Sequence, residues 1–300
     1  MVGAVGDDVR YVSPGDHVIA CLSVFCGSCE YCLGGRPAIC SAPDSSDRAA
    51  KLAPRLQQQG HAIGQFMRIG GFAEQILVHQ NSLAKISRDI PLDRAALICC
   101  GVTTGLGAVF NTARVHPGAD VAVFGCGAIG LNVIQGARLA GANRIFAVDV
   151  NPGKLEMAAR FGASDVVKGE KADPVRAIME ATAGRGVDFS FEAIGMAKTA
   201  EQCFMCLSKG GTATLIGLMA ADEKVALSGL HFLAERKVQG CDMGSNRFRV
   251  DMPRYVQFYL DGRLNLDDMI SQRIALDGIN EGFQAMKAGK TVRSVVTFDI

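Results

Sequence analysis

A chain of 300 residues has the length for about two domains and a substantial core. With 49% hydrophobic and 20% charged residues and 35 glycines, it is a folded chain, neither disordered nor collagen-like. Lysine plus arginine number 31 against 30 acidic residues, a net charge of +1, so no global field gathers polyanions and nucleic acid is excluded as an expected partner.

The first residues, Met1-Val2-Gly3-Ala4-Val5, lack a basic start followed by an apolar run. No signal peptide is visible, and the cytoplasm is the expected address. Gly/Pro punctuation around short β-rich runs at 9–20, 72–78 and 83–86 predicts a mainly antiparallel first domain. Between those runs Cys26, Cys29, Cys32 and Cys40 form C-x2-C-x2-C-x7-C in a loop that also carries Gly27, Gly34, Gly35 and Pro37. Eleven cysteines, an odd number in a chain without an export signal, favour metal binding or burial over a disulfide framework. A short glycine-rich loop can wrap four thiolates around one ion. All-thiolate tetrahedral coordination suits Zn2+, and a site closed by four protein ligands leaves no position for substrate, so this zinc is structural; an iron–sulfur cluster is the rival. The stretch 42–59 is polar, with three consecutive glutamines, and reads as an exposed, mobile insertion. Cys99 and Cys100, before a glycine, read locally as core. The apolar stretches 95–110 and 121–134 are interrupted by Gly, Thr and Asn short of the ~20 residues a membrane span needs, so no membrane partner is expected.

From residue 121 strands and helices alternate: strands at 121–124, 144–148, 165–167, 187–192, 212–216 and 238–241, with helices at 128–140, 152–161, 173–183 and 199–207. Six short strands with intervening helices imply an α/β fold with a doubly wound parallel sheet. Gly125-Cys126-Gly127-Ala128-Ile129-Gly130 follows the first strand and opens a helix, the context a dinucleotide demands. Gly125 permits the tight turn, Gly127 lets the pyrophosphate approach the backbone, and Gly130 lets helix and strand pack closely. Asp149, at the end of the next strand, is placed to accept hydrogen bonds from the adenosine ribose, and its charge repels a 2′-phosphate, so NAD is favoured over NADP. Lys154 in the following helix binds the same ribose or is merely solvated. Cys203 and Cys206, at helical spacing, read as core. Helices at 254–260 and 278–288 and a strand at 294–298 are expected to return to the first domain.

The cysteine lobe, Cys99-Cys100-Gly101-Val102-Thr103-Thr104-Gly105, the glycine motif with Asp149, Phe191-Glu192-Ala193-Ile194-Gly195 and Val292-Arg293-Ser294 stand in one order. In this the chain resembles the zinc-dependent medium-chain alcohol dehydrogenases over essentially its whole length. It looks closest to the branch of S-(hydroxymethyl)glutathione (class III) and bacterial aryl-alcohol dehydrogenases. The resemblance implies a Rossmann domain, residues 102–243, inserted in a mainly β GroES-like catalytic domain, residues 1–101 with the zinc lobe at 21–41, completed by residues 244–300. It implies structural zinc on Cys26, Cys29, Cys32 and Cys40, and it makes Cys100 a ligand of a catalytic zinc. Arg293 matches the family's pyrophosphate-binding arginine, Ile129 and Ile194 match residues packing on the nicotinamide side, and Thr104 lies near that ring. Leu22, Phe66 and Phe72 would make an apolar substrate pocket. The implied reaction is hydride transfer between NAD and a primary or aromatic alcohol, or S-(hydroxymethyl)glutathione, with an alcohol or aldehyde as small-molecule partner. A homodimer or homotetramer through the Rossmann edge strand, placed near 212–218, is expected.

The departure is at the start. Relatives carry a catalytic Cys and then a Gly-His-Glu segment upstream of the strand corresponding to residues 2–9, and Met1 falls after both. Of three protein ligands of the catalytic zinc only Cys100 is assigned; His17, His61, His79, His116 and His231 match no ligand position. The expectation is an N-terminally shortened chain that binds NAD and one structural zinc but turns over alcohol poorly or not at all. The alternatives are a non-catalytic NAD- and zinc-binding paralogue, or a polyol or threonine dehydrogenase of the same superfamily, against which Cys100 counts.

Overall fold

Residues 1–42, 56–170, 173–289 and 291–298 are described by a computed structural model, and they fall into two units: residues 1–100 with 247–300, and residues 101–246. In the first unit β1 (Val18–Ala20) is the only part of the expected 9–20 strand to form. The rest is broken by a turn at Pro14-Gly15, where Asp16 Oδ2 accepts from the Ser13 N–H at 2.9 Å and Gly15 takes a φ of +85°. A short helix, α1 (Glu30–Leu33), follows inside the cysteine loop. Residues 43–55 of the expected insertion lie outside the described residues; its end is an exposed hairpin of β2 (Leu56–Gln58) and β3 (His61–Ile63), turned by Gln59 and Gly60, both at positive φ. The expected strand at 72–78 is absent. A β-rich run needs a partner strand, and here the Leu77 carbonyl accepts instead from the Gln65 side chain at 3.2 Å. β4 (Leu83–Lys85) pairs antiparallel with β1. α2 (Leu92–Leu97) then begins a helical run that reaches Ala113 through π-helical turns. By length and composition this run, Leu92–Ala113, is apolar enough to cross a membrane, contrary to the sequence reading, but 67% of its most apolar window is buried in protein, as in a core helix.

The second unit starts within that run at Gly101, just before α3 (Thr103–Gly107), and is built on a six-stranded parallel sheet. Its elements are β5 (Asp120–Phe124), α4 (Ala128–Leu139), β6 (Arg144–Asp149), α5 (Pro152–Phe161), β7 (Asp165–Lys168), α6 (Pro174–Ala181), β8 (Val187–Glu192), α7 (Ala197–Met205), β9 (Leu207–Leu215) and β10 (Lys237–Gly240). Strands covered on both faces must be apolar throughout, and residues 121–124 and 145–148 are all buried. Local chemistry punctuates the helices. Asn151 caps α5 through the Gly153 N–H with Pro152 in the first turn, Gly162 ends it at φ +117°, and Asp173 caps α6 through the Val175 N–H. Phe124, Phe146, Ile178, Phe204 and Leu207 fill the core, with Cys203 and Cys206 fully buried among them. The strand order is β10-β9-β8-β5-β6-β7, so the sheet reverses its direction of growth between β5 and β8. β9 is interior and β10 is the edge, which moves the expected edge from 212–218 to 237–240. The strand itself was expected at 238–241; what the sequence did not show is that it pairs outside β9, against residues 212–215.

The chain returns to the first unit through α8 (Phe248–Leu260), β11 (Ile270–Ile274), α9 (Ile279–Lys287) and β12 (Arg293–Val296), with β11 and β12 paired in parallel. This unit therefore carries two antiparallel pairs and one parallel pair among the described residues. Arg249 on α8 secures the return. Its guanidinium lies 3.7 Å from the Tyr11 ring centroid and 5.0 Å from that of Phe25. It donates to the carbonyls of Gln80 (2.7 Å) and Leu83 (3.2 Å). Phe25 immediately precedes Cys26, so α8 reaches the root of the cysteine loop.

Candidate functional site

In the cysteine loop Gly27 and Gly35, at φ +83° and +75°, reverse the chain around α1 and turn four sulfurs inward. All four Sγ atoms lie within 4.8 Å of one another. Cys26 and Cys32 are 3.9 Å apart and Cys29 and Cys40 3.8 Å, against about 3.8 Å for the edge of a tetrahedron with 2.3 Å Zn–S bonds. Backbone N–H groups of Ser28 and Cys29 donate to Cys26 Sγ, and that of Cys26 to Cys40 Sγ, which favours thiolates. The Cys32 N–H holds the Cys29 thiol down to about 5, whereas burial pushes Cys32 up to about 12. Four such groups cannot all ionise side by side without a cation. The donor set and its spacing fit one Zn2+; an iron–sulfur core several ångströms across would need sulfurs set wider apart.

The second site is the crevice where the sheet reverses, the position at which open α/β sheets bind dinucleotides. One lip is the turn from β5 to α4. A Cβ on Gly130 would stand 1.7 Å from the Gly125 carbonyl oxygen, so helix and strand meet there only through glycine. A Cβ on Gly127 would meet nothing within 4 Å, leaving its space open to a ligand. No side chain caps α4, whose first N–H groups thus face the crevice as anion donors. Asp149 ends β6 beside this turn, buried, with one carboxylate oxygen accepting from the Cys126 N–H at 2.8 Å and the other from the Asn151 N–H at 2.9 Å. Lys154, half-buried on α5, acts electrostatically on Cys126 together with Asp149, while burial pushes the Cys126 thiol up to about 12. These parts make a cradle into which a dinucleotide fits: pyrophosphate at the helix start, ribose hydroxyls at Asp149.

The other lip is the turn after β8. Ile194, 45% exposed, lies so close to Gly125 that a Cβ there would come within 2.5 Å of its Cγ1. Ile129 is half-buried on the first turn of α4. Thr104 is buried on α3, which packs on α4, and its hydroxyl donates to Met243 Sδ at 3.5 Å. Gly125, Gly127, Ile129, Gly130, Asp149, Lys154 and Ile194 thus gather around one end of the sheet, with Thr104 on the neighbouring helix. Cys100 and Arg293 belong to the other unit, Cys100 in the π-helical turn Ile98–Val102 and Arg293 opening β12. Burial pushes the adjacent Cys99 thiol up to about 12. Among the described residues the four-cysteine lobe is the one group of three or more ligating side chains, and Cys100 is not in it. Among the described residues, then, the grouped ligands fit one zinc. Leu22 is half-buried, and Phe66 and Phe72 are exposed, Phe72 edge-on to Phe283. Sequence reasoning gave no role to Glu192. Its signal was a carboxylate closing an otherwise mostly apolar strand, and it lies fully buried under the second lip.

Residues 1–88 match the family "Alcohol dehydrogenase GroES-like domain", and residues 128–260 match "Zinc-binding dehydrogenase". Among curated proteins the chain is 37% identical to the S-(hydroxymethyl)glutathione dehydrogenase of Haemophilus influenzae, over 99% of this chain and 80% of that one. It is 36% identical to the S-(hydroxymethyl)glutathione dehydrogenase of Paracoccus denitrificans, over 99% and 82%. Among solved structures it superposes on the benzyl alcohol dehydrogenase of Acinetobacter calcoaceticus with a TM-score of 0.90 at 28% identity, covering 99% of this chain and 81% of that one. An alcohol dehydrogenase zinc-binding domain protein from Burkholderia ambifaria gives 0.93 at 29% identity, with the same coverage.

Proposed function

Because this chain belongs to the zinc-dependent medium-chain alcohol dehydrogenases, an oxidoreductase family whose cofactors are NAD and Zn2+, we propose that it transfers hydride between NAD and a primary or aromatic alcohol. S-(hydroxymethyl)glutathione and benzyl alcohol are the first substrates to try, since they name the relatives' activities. The observation that carries this reading is the β5–α4 turn, open at Gly127, with the buried Asp149 carboxylate beside it.

In this reading each residue has a role. Gly125, Gly127 and Gly130 shape the turn whose N–H groups hold the pyrophosphate, and Asp149 orients the adenosine ribose with Lys154 at its side. Ile129, Ile194 and Thr104 wall the nicotinamide half, and Arg293 neutralises the pyrophosphate. NAD supplies the hydride acceptor when bound; the protein binds it, orients it and excludes water around it. Cys26, Cys29, Cys32 and Cys40 hold a structural zinc, and Cys100 is the residue assigned to the catalytic zinc. Residence in the cytoplasm and association as a homodimer or homotetramer belong to the same reading.

The test is NADH formation by purified chain supplied with Zn2+, NAD+ and either alcohol, with zinc per chain measured on the same sample. Turnover with either substrate is the expected result. NADH binding with about one zinc per chain and no turnover would replace it with the second reading, a non-catalytic NAD- and zinc-binding protein. That reading is favoured by Cys100 standing outside any grouped ligand set among the described residues.

A further inference from the structure

The crevice has two lips, and the second rests on one buried carboxylate. Glu192 is the last residue of β8 and is fully buried. Its Oε1 accepts three hydrogen bonds, from the N–H of Ile194 (2.9 Å), the N–H of Gly195 (2.8 Å) and the hydroxyl of Thr199 (2.8 Å). Its backbone carbonyl accepts from the N–H groups of Ile216 (2.9 Å) and Gly217 (3.1 Å), which begin the turn after β9. The two turns interlock around it. A Cβ on Gly217 would stand 2.5 Å from Glu192 Oε2 and 2.1 Å from the Gly195 nitrogen, and one on Gly195, at φ +92°, would stand 2.4 Å from the Leu218 carbonyl oxygen. The same lip presses Ile194 against Gly125, the first glycine of the opposite lip.

A carboxylate that takes three donors on one oxygen makes charge-assisted bonds, each stronger than a neutral one. Oε2 has no hydrogen-bond partner among the described residues, so the side chain carries the desolvation cost of a buried polar atom. A residue there for packing alone would be apolar. We propose that Glu192 is a positioning residue for the nicotinamide half of the dinucleotide, fixing the 193–195 turn in the one shape that leaves the crevice open beside Gly125. The inference rests on the dinucleotide reading above. It separates the two halves of the cofactor: adenosine and pyrophosphate are held by Asp149 and the α4 N-terminus, on the β6 side of the reversal, and the nicotinamide end lies on the β8 side.

The test is a pair of fluorescence or calorimetric titrations, NADH against ADP-ribose, which lacks the nicotinamide. Glu192→Gln keeps an acceptor for the three donors but removes the charge. It is expected to raise the NADH dissociation constant about tenfold while ADP-ribose changes by less than about twofold. Thr199→Val, at a partly exposed site and removing one donor only, is expected to shift NADH about threefold with the same selectivity, and it keeps the question answerable if the glutamate variant does not fold. Equal losses for both ligands, or an unchanged NADH constant in both variants, overturns the proposal. A parent chain that binds neither NADH nor ADP-ribose overturns the dinucleotide reading itself, and this proposal with it.

Discussion

Asp149, the ribose acceptor of the proposed reading, is already held in place before any ligand arrives. Its two oxygens are held by the Cys126 and Asn151 N–H groups, so the carboxylate cannot rotate away and its remaining lone pairs face the crevice. Asp149→Asn should weaken NADH binding on the order of tenfold, since hydrogen bonds to a charged group contribute about 1.5–3 kcal/mol. The same change should narrow the preference over NADPH, because the negative charge that repels a 2′-phosphate is gone; parallel titrations with the two nucleotides check both. The position of this aspartate, at the end of β6 beside the glycine turn, was legible from its distance to the glycine motif. Glu192 was not, because nothing in one sequence shows which donors turn back onto a side chain, and three of its four donors or contacts are backbone groups two to twenty-five residues away.

In the β5–α4 turn the three glycines answer to different constraints. Gly130→Ala puts a methyl onto the Gly125 carbonyl and should prevent a native fold or cost more than about 3 kcal/mol, read by yield and thermal melting. Gly127, with φ −75° and open space around it, accepts alanine without strain. Gly127→Ala should therefore melt like the parent while losing NADH affinity at least about tenfold, since its methyl occupies the path of the pyrophosphate. Such elements were legible because an all-apolar strand, a glycine turn and the helix it opens announce themselves locally. The 72–78 run was misread because strand propensity describes a half-buried surface, and no strand partners it there. The hairpin end of the insertion is short and exposed, with no apolar face to print a period of two, whereas β10 was legible as a strand and only its edge position was not.

Across the whole chain, the ends of the first unit are joined by charge as well as by packing. Asp93 on α2 pairs with Arg94 and, across 180 residues, with Arg273 on β11. Partial burial pushes the Asp93 carboxyl up, but the hydrogen bonds from the two guanidinium groups outweigh it and hold the group below its ordinary value. A depressed folded value means the contribution is complete above the unfolded carboxylate value of about 3.9 and is lost as the pH falls through the folded one. Asp93→Asn should lower stability by about 1 kcal/mol at neutral pH, a modest figure for a partly exposed network, and the difference should close below about pH 4. Melting curves of both proteins across pH 3–7 test this; a constant gap would place the effect in packing. Pairing of this kind leaves no local trace: the elements at 254–298 suggested a return to the first domain, but not the residues that fasten it.

Arg249 sets an order of events during synthesis. The cysteine loop and the 80–83 segment leave the ribosome early, but the guanidinium that lies against Phe25 and takes the Gln80 and Leu83 carbonyls belongs to a helix made after the entire second unit. At ~5–20 residues per second the loop waits roughly ten to forty seconds for its keystone. Residues 101–246 need no such wait, because all six strands of their sheet pair with one another. The nascent chain thus holds four unoxidised thiols on an unfinished scaffold beside a finished domain. A metal ion captured at that stage would shield the sulfurs and hold the loop in shape until the helix bearing Arg249 arrives.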